Sequence, residues 1–65
     1  MPKTTNVEDL RALLTRLKDS QRQLLINSAE AGMLPADGTI RKIADLENAI
    51  GAVELFIEEE TQAHG

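Results

Sequence analysis

Cysteine, tryptophan and tyrosine are missing from this 65-residue chain, and phenylalanine occurs once. Without cysteine there is no disulfide and no thiolate-held zinc or iron–sulfur centre, so two common staples of very small domains are excluded. The lack of aromatics removes the side chains on which nucleic-acid bases stack. The longest run of large apolar residues is Leu24-Leu25-Ile26, far short of the ~20 that a membrane-spanning helix needs. The opening residues Met1-Pro2-Lys3-Thr4-Thr5-Asn6 contain no apolar h-region, so a secretory leader is not expected and a cytoplasmic location is.

What is present is 42% hydrophobic residues, nearly all Leu, Ile, Val, Ala and Met, the composition of packed helices. A single core in a chain of fewer than ~70–80 residues rarely supplies more than ~3–5 kcal/mol. With staples excluded, oligomerisation is the expected compensation.

Thr5-Asn6-Val7-Glu8 fits the S/T-x-x-E capping box and starts a helix near Asn6. Val7, Leu10, Leu14, Leu17 and Leu24 then recur at helical spacing, with Leu13 and Leu25 widening the stripe. Gly32 suits the left-handed position that ends a helix, with Met33 or Leu34 expected to fold back on the last turn. In the stretch from Gly32 to Gly38, Pro35 holds Leu34 out of the α region and Asp37-Gly38 favours a turn. A second helix is expected from Ile40, Ile43, Leu46, Ile50, Val53, Phe56 and Ile57, with Asp37 or Thr39 as its cap. The spacing predicts helix one over about 6–31, a turn over about 32–38 and helix two over about 39–61. Gly51 is the weak point of the second helix, at about 1 kcal/mol relative to Ala, and is expected to permit a close helix contact.

Heptad phasing places Val7, Leu14, Gln21 and Ser28 at a and Leu10, Leu17, Leu24 and Ala31 at d. In helix two, Ile43, Ile50 and Ile57 take a, while Leu46, Val53 and Glu60 take d. Folding the helices antiparallel pairs Leu10 with Ile57, Leu14 with Val53, Leu17 with Ile50, Gln21 with Leu46 and Leu24 with Ile43. The expected fold is therefore an all-α, antiparallel two-helix hairpin in one domain. Leu13, Leu25, Ile40 and Phe56 lie beside this seam, and Ile26 and Leu55 lie further round. That surplus of apolar surface calls for a partner, most simply a second copy closing a four-helix bundle. Leu13, Gln21, Leu25, Ile26, Ile40, Leu55 and Phe56 are the candidate dimer or partner surface. Gln21 draws notice because a lone polar a residue often sets register and oligomer state; the plain alternative places it at the rim.

Charge is divided between the helices. Residues 1–33 carry five basic and four acidic groups, whereas residues 34–65 carry two and seven. Glu54, Glu58, Glu59 and Glu60 form an acidic rim at a helix C-terminus, where carboxylates oppose the macrodipole. Solvation explains such a run most simply; a basic protein surface as partner, or imitation of a phosphate backbone as in acidic phage-type inhibitors, are the functional readings. Arg11, Arg16, Lys18 and Arg22 are candidate phosphate contacts. A dimer of helical hairpins resembles the architecture of Rop-type RNA regulators, and that resemblance implies RNA or DNA contact through those four residues. The net charge of -4 weighs against nucleic acid as partner, and ion pairing with helix two is the simpler role for them.

Chemistry finds little to build on. Glu60 and His64, like Glu54 and Glu58, stand four residues apart, but two ligands do not make a metal site. Ser20, Ser28, Thr15 and Thr39 have no His nearby to activate them, and Gly32, Gly38 and Gly51 lack the spacing of a phosphate-binding loop. No enzymatic activity, cofactor or metal is expected. The expected function is a small interaction or regulatory module.

Overall fold

In the computed structural model residues 6–63 are described: α1, Val7–Ala31, and α2, Asp37–Ala63, which pack against each other. The chain is an all-α helical hairpin.

The start of α1 is a side-chain cap. Asn6 is extended, with φ -74° and ψ 132°, and its Oδ1 accepts the Glu8 N–H at 2.8 Å. Its carbonyl accepts the Leu10 N–H at 3.1 Å, the first bond of the helix. The cap is thus Asn6 and not the Thr of the expected box, whose residue Thr5 lies outside the described residues. Asn serves at least as well at that position, and Glu8 and Asp9 then fall in the first turn, where the macrodipole favours them.

Gly32 ends α1 as expected, at φ 69° and ψ 13°, with its N–H bonded to the Ala29 carbonyl at 3.2 Å. Met33 and Leu34 do not fold back: they are 75% and 88% exposed. Pro35 keeps Leu34 out of the α region, and the short connection leads the chain directly into the second helix.

The second helix begins two residues earlier than expected. The Ala36 carbonyl accepts from the Thr39 and Ile40 N–H groups at 2.9 and 3.0 Å, so Ala36 holds the cap position in place of Asp37 or Thr39. Asp37 sits in the first turn, where its charge is favoured by the positive end of the dipole without a capping bond. At the far end α2 continues to Ala63. Thr61 Oγ1 donates to the Ile57 and Glu58 carbonyls at 3.0 and 2.9 Å, so its hydroxyl is satisfied by its own helix.

The seam follows the heptads. Leu10 and Ile50 are buried, and Val7, Leu14, Leu17, Leu24, Ile43, Leu46, Val53 and Ile57 are half-buried. Ala31, though at a d position, is exposed; it is the last residue of α1, and the chain leaves the helix at Gly32. Gly51 lies on the outer side of α2, and a Cβ built there meets nothing within 4 Å. No helix of the hairpin approaches it, contrary to expectation, so its cost in backbone entropy goes uncompensated.

Two outcomes follow for chemical denaturation monitored by circular dichroism. Gly51→Ala raises stability by up to about 1 kcal/mol, since an exposed helix interior favours Ala. Ile50→Ala removes the most buried side chain, at a cost of about 2–4 kcal/mol, enough to leave the isolated hairpin largely unfolded.

Candidate functional site

The residues outside the seam fall on two flanks, and a polar cross-link identifies one of them. Lys18 Nζ stands 3.3 Å from Glu54 Oε2 across the two helices. Gln21 Nε2 donates to Glu47 Oε1 at 2.8 Å and to the Ile43 carbonyl at 3.4 Å. Lys18, Glu47 and Glu54 all occupy e positions, so the e rows of both helices share a flank: Arg11, Lys18 and Leu25 from α1, with Ile40, Glu47 and Glu54 from α2. The opposite flank carries the g rows, namely Leu13, Ser20 and Asn27 with Lys42, Ala49 and Phe56.

This geometry divides the candidate partner surface. Leu25 and Ile40, 49% and 43% exposed, stand within about a helical turn of each other on the charged flank, near the hairpin turn. Leu13 and Phe56 stand equally close on the opposite flank, near the open end; Leu13 is half-buried and Phe56 is 40% exposed. Ile26 and Leu55 project from the backs of their helices, away from the seam, and are exposed. Gln21 is half-buried in the seam, and both of its amide N–H bonds go to α2 of the same chain. The rim placement and the seam placement are therefore combined: its stem lies in the Leu46 layer while its amide reaches the edge. Met33 and Leu34, expected to fold back on α1 and so left off the candidate surface, are the most exposed large apolar residues among those described; Pro35, which holds Leu34 extended, was the available signal.

The acidic rim is also divided. Glu54 and Glu58 belong to the charged flank and Glu59 to the other, while Glu60 closes the seam half-buried, level with Val7. Of the four candidate phosphate contacts, Arg11, Lys18 and Arg22 lie on the charged-flank side and Arg16 on the other. Lys18 is bound to Glu54, so the basic strip is interleaved with carboxylates from α2. The two side chains of this ion pair are 53% and 50% exposed, and such pairs are worth little. Among the described residues it is the single ion pair. Also among them, no three His, Cys, Asp or Glu residues gather as metal ligands, no pocket forms, and no helix is long and apolar enough to cross a membrane. The proposed Glu60–His64 spacing ends on a residue outside those described.

One asymmetry stands out. Within the helices, every half-buried or buried residue occupies an a or d position except Leu13 and Ala49, and both are g residues. The seam leans toward that flank. Comparison with protein-family models, with curated proteins and with solved structures finds no match to this chain.

Gln21 is the residue whose replacement tests the seam. Gln21→Leu fills the Leu46 layer with apolar volume and leaves Glu47 in water, so the urea midpoint rises, by an equivalent of about 1 kcal/mol. A double-mutant cycle on Lys18 and Glu54 yields less than about 0.5 kcal/mol, and the coupling fades in about 1 M salt.

Proposed function

We propose that this chain is a small, non-enzymatic interaction module that works as a homodimer, two hairpins closing a four-helix bundle, and acts by occupying the surface of another protein. The observation that carries the reading is the exposure of large apolar side chains. Among the described residues only Leu10 and Ile50 are buried, while Leu25, Ile26, Met33, Leu34, Ile40, Leu55 and Phe56 are all at least 38% exposed.

Size and shape support it. The accessible surface of 5152 Å² compares with about 4,100 Å² for a compact folded chain of this mass. The radius of gyration is 15.1 Å, against about 11 Å for a compact domain of this length. The hairpin is a slender rod, 49 × 22 × 16 Å, with too little interior for its apolar content. Covering one broad face with a second hairpin supplies the missing interior at no cost in chain length.

The acidic end, with Glu54, Glu58 and Glu59 exposed, is the part of the module suited to a basic protein surface. It gains specificity and encounter rate there more than affinity. Nucleic acid is disfavoured as partner because the Arg11–Lys18–Arg22 strip is interleaved with Glu47 and Glu54 and no stacking aromatic accompanies it. A cytoplasmic setting accords with a chain that has no cysteine to oxidise.

Thermal melting of the purified chain at several concentrations tests the dimer. If folding and association are coupled, the midpoint rises with concentration by mass action, and sedimentation equilibrium returns twice 7.1 kDa. A concentration-independent midpoint with a monomeric mass overturns the reading.

A further inference from the structure

A hairpin has two broad flanks, and a second copy covers one of them first. Resting on the dimer reading above, we infer that the covering flank is the one carrying Leu13, Ser20, Ala49 and Phe56, and that the second copy lies across it antiparallel, with its turn over the first copy's open end.

Desolvation selects the flank. The e rows hold Arg11, Lys18, Glu47 and Glu54, with Lys18 bridged to Glu54 and Gln21 bonded to Glu47. Burying that face strips water from four charges whose mutual attraction repays little of the penalty. The g rows hold one charge, Lys42, beside Leu13, Ser20, Asn27, Ala49 and Phe56; the further charges of this flank, Asp9, Arg16, Glu30, Asp45 and Glu59, stand on the adjoining outer rows and are exposed, where a partner leaves them at the rim. The g rows are also continuous with the existing core, since Leu13 and Ala49 are the two helix residues off the a and d positions that are already half-buried. A partner placed there extends the present interior instead of founding a new one. The flank is long enough for the purpose: a broad face of the rod measures 49 by 22 Å, and a standard interface takes about 800 Å² from each partner.

The symmetry of the rows and the distribution of charge select the occupant and its direction. Ser20 lies midway between Leu13 and Asn27 in its row, and Ala49 lies midway between Lys42 and Phe56 in its own. The sequence pairing that sets Leu17 beside Ile50 puts Ser20 and Ala49 within about a turn of the same level. A two-fold axis across the rod at that level returns each row onto its own copy, which is what an isologous dimer requires. Ser20 then meets Ser20 of the partner subunit at the waist, where small side chains let helices approach. Phe56 meets Lys42 of the partner subunit, a cation over an aromatic face. Electrostatics agrees with this direction. Among the described residues, Glu8, Asp9, Glu54, Glu58, Glu59 and Glu60 crowd the open end against Arg11, Arg16 and Lys18, the last of them paired with Glu54. Parallel stacking superposes two such ends, whereas the antiparallel arrangement sets them at opposite extremes, far beyond the Debye length of about 8–10 Å.

The test uses the full chain, with association read by sedimentation equilibrium and helicity by circular dichroism. The wild type is expected to be dimeric. Ser20→Glu, which sets two carboxylates against each other at the waist, and Phe56→Lys, which sets a second cation against Lys42 of the partner subunit, are expected to retain a helical hairpin and weaken association about 100-fold. Leu25→Glu, on the charged flank, is expected to change it less than about threefold. Direction is read independently: chains carrying Ser20→Cys are expected to oxidise to a covalent dimer on their own. A wild type that is monomeric overturns both the dimer reading and this inference. A dimer that survives Ser20→Glu but is broken by Leu25→Glu overturns the flank assignment while leaving the dimer. A dimer in which Ser20→Cys chains link to Ala49→Cys chains but not to each other overturns the antiparallel direction.

Discussion

A pair of helices shares one seam, and every other property of this chain depends on how little that seam can hold. An amphipathic helix hides its apolar stripe against one neighbour, so the hairpin buries a/d residues in single file, and most of them stay half-exposed at the edges. Among the described residues only Leu10 and Ile50, one from each helix, are buried outright. Toward the turn the layers shrink to Ser28 and Thr39, and Ser28 Oγ donates to its own helix at the Leu24 carbonyl, 2.8 Å away. The hydroxyl is satisfied locally, which lets a polar residue occupy an a position without demanding a partner across the seam. The turn end therefore contributes little hydrophobic gain, and the open half carries the larger apolar layers.

Gln21 works within the same restriction. A polar residue at an a position costs some burial, and it survives here because its amide crosses to α2 and finds two acceptors. Register is thereby marked at one level: a shift of the helices by a heptad takes Gln21 away from Glu47 and the Ile43 carbonyl together. The Lys18–Glu54 pair lies on the same side and adds little energy, yet it makes that side unsuitable for burial. In the proposed dimer, the polar cross-links on this side leave the other as the one available to a second copy.

Much of the fold was legible in the sequence because two independent signals agreed. Apolar spacing of three and four over Val7–Leu24 and Ile40–Ile57 gave the helices and their phase, and Gly32 with Pro35 gave the single break. The ends were less legible. Thr5 and Asn6 are both competent caps, so the starting residue depended on which of them left the helix. The start of α2 depended on an alanine carbonyl that carries no side-chain signal. For the candidate surface, spacing identified which apolar residues exceed the seam, and Leu25, Ile26, Ile40, Leu55 and Phe56 are indeed exposed. It did not show that they point in several directions. That division follows from the e and g rows, whose pairing across the seam becomes known only when the relative rotation of the two helices is known.

This scatter bears on what the exposed residues do. Ile26 and Leu55, isolated on the outer backs, are ordinary for a surface that is always partly apolar. Leu25 with Ile40 makes a small patch beside charges, and Leu13 with Phe56 makes another beside small residues. The difference between these two patches lies in their neighbours: equal apolar area is cheaper to remove from water where fewer ions must be removed with it. In the proposed assembly, closed on the flank of Leu13 and Phe56, Glu54 and Glu58 remain on the outer face together with Arg11 and Arg22. That outer face then presents mixed charge along its length and the Leu25–Ile40 patch at one end. A second protein would meet an apolar foothold there, next to fixed charges that select among partners, which is the division of labour between affinity and specificity expected of an interaction surface.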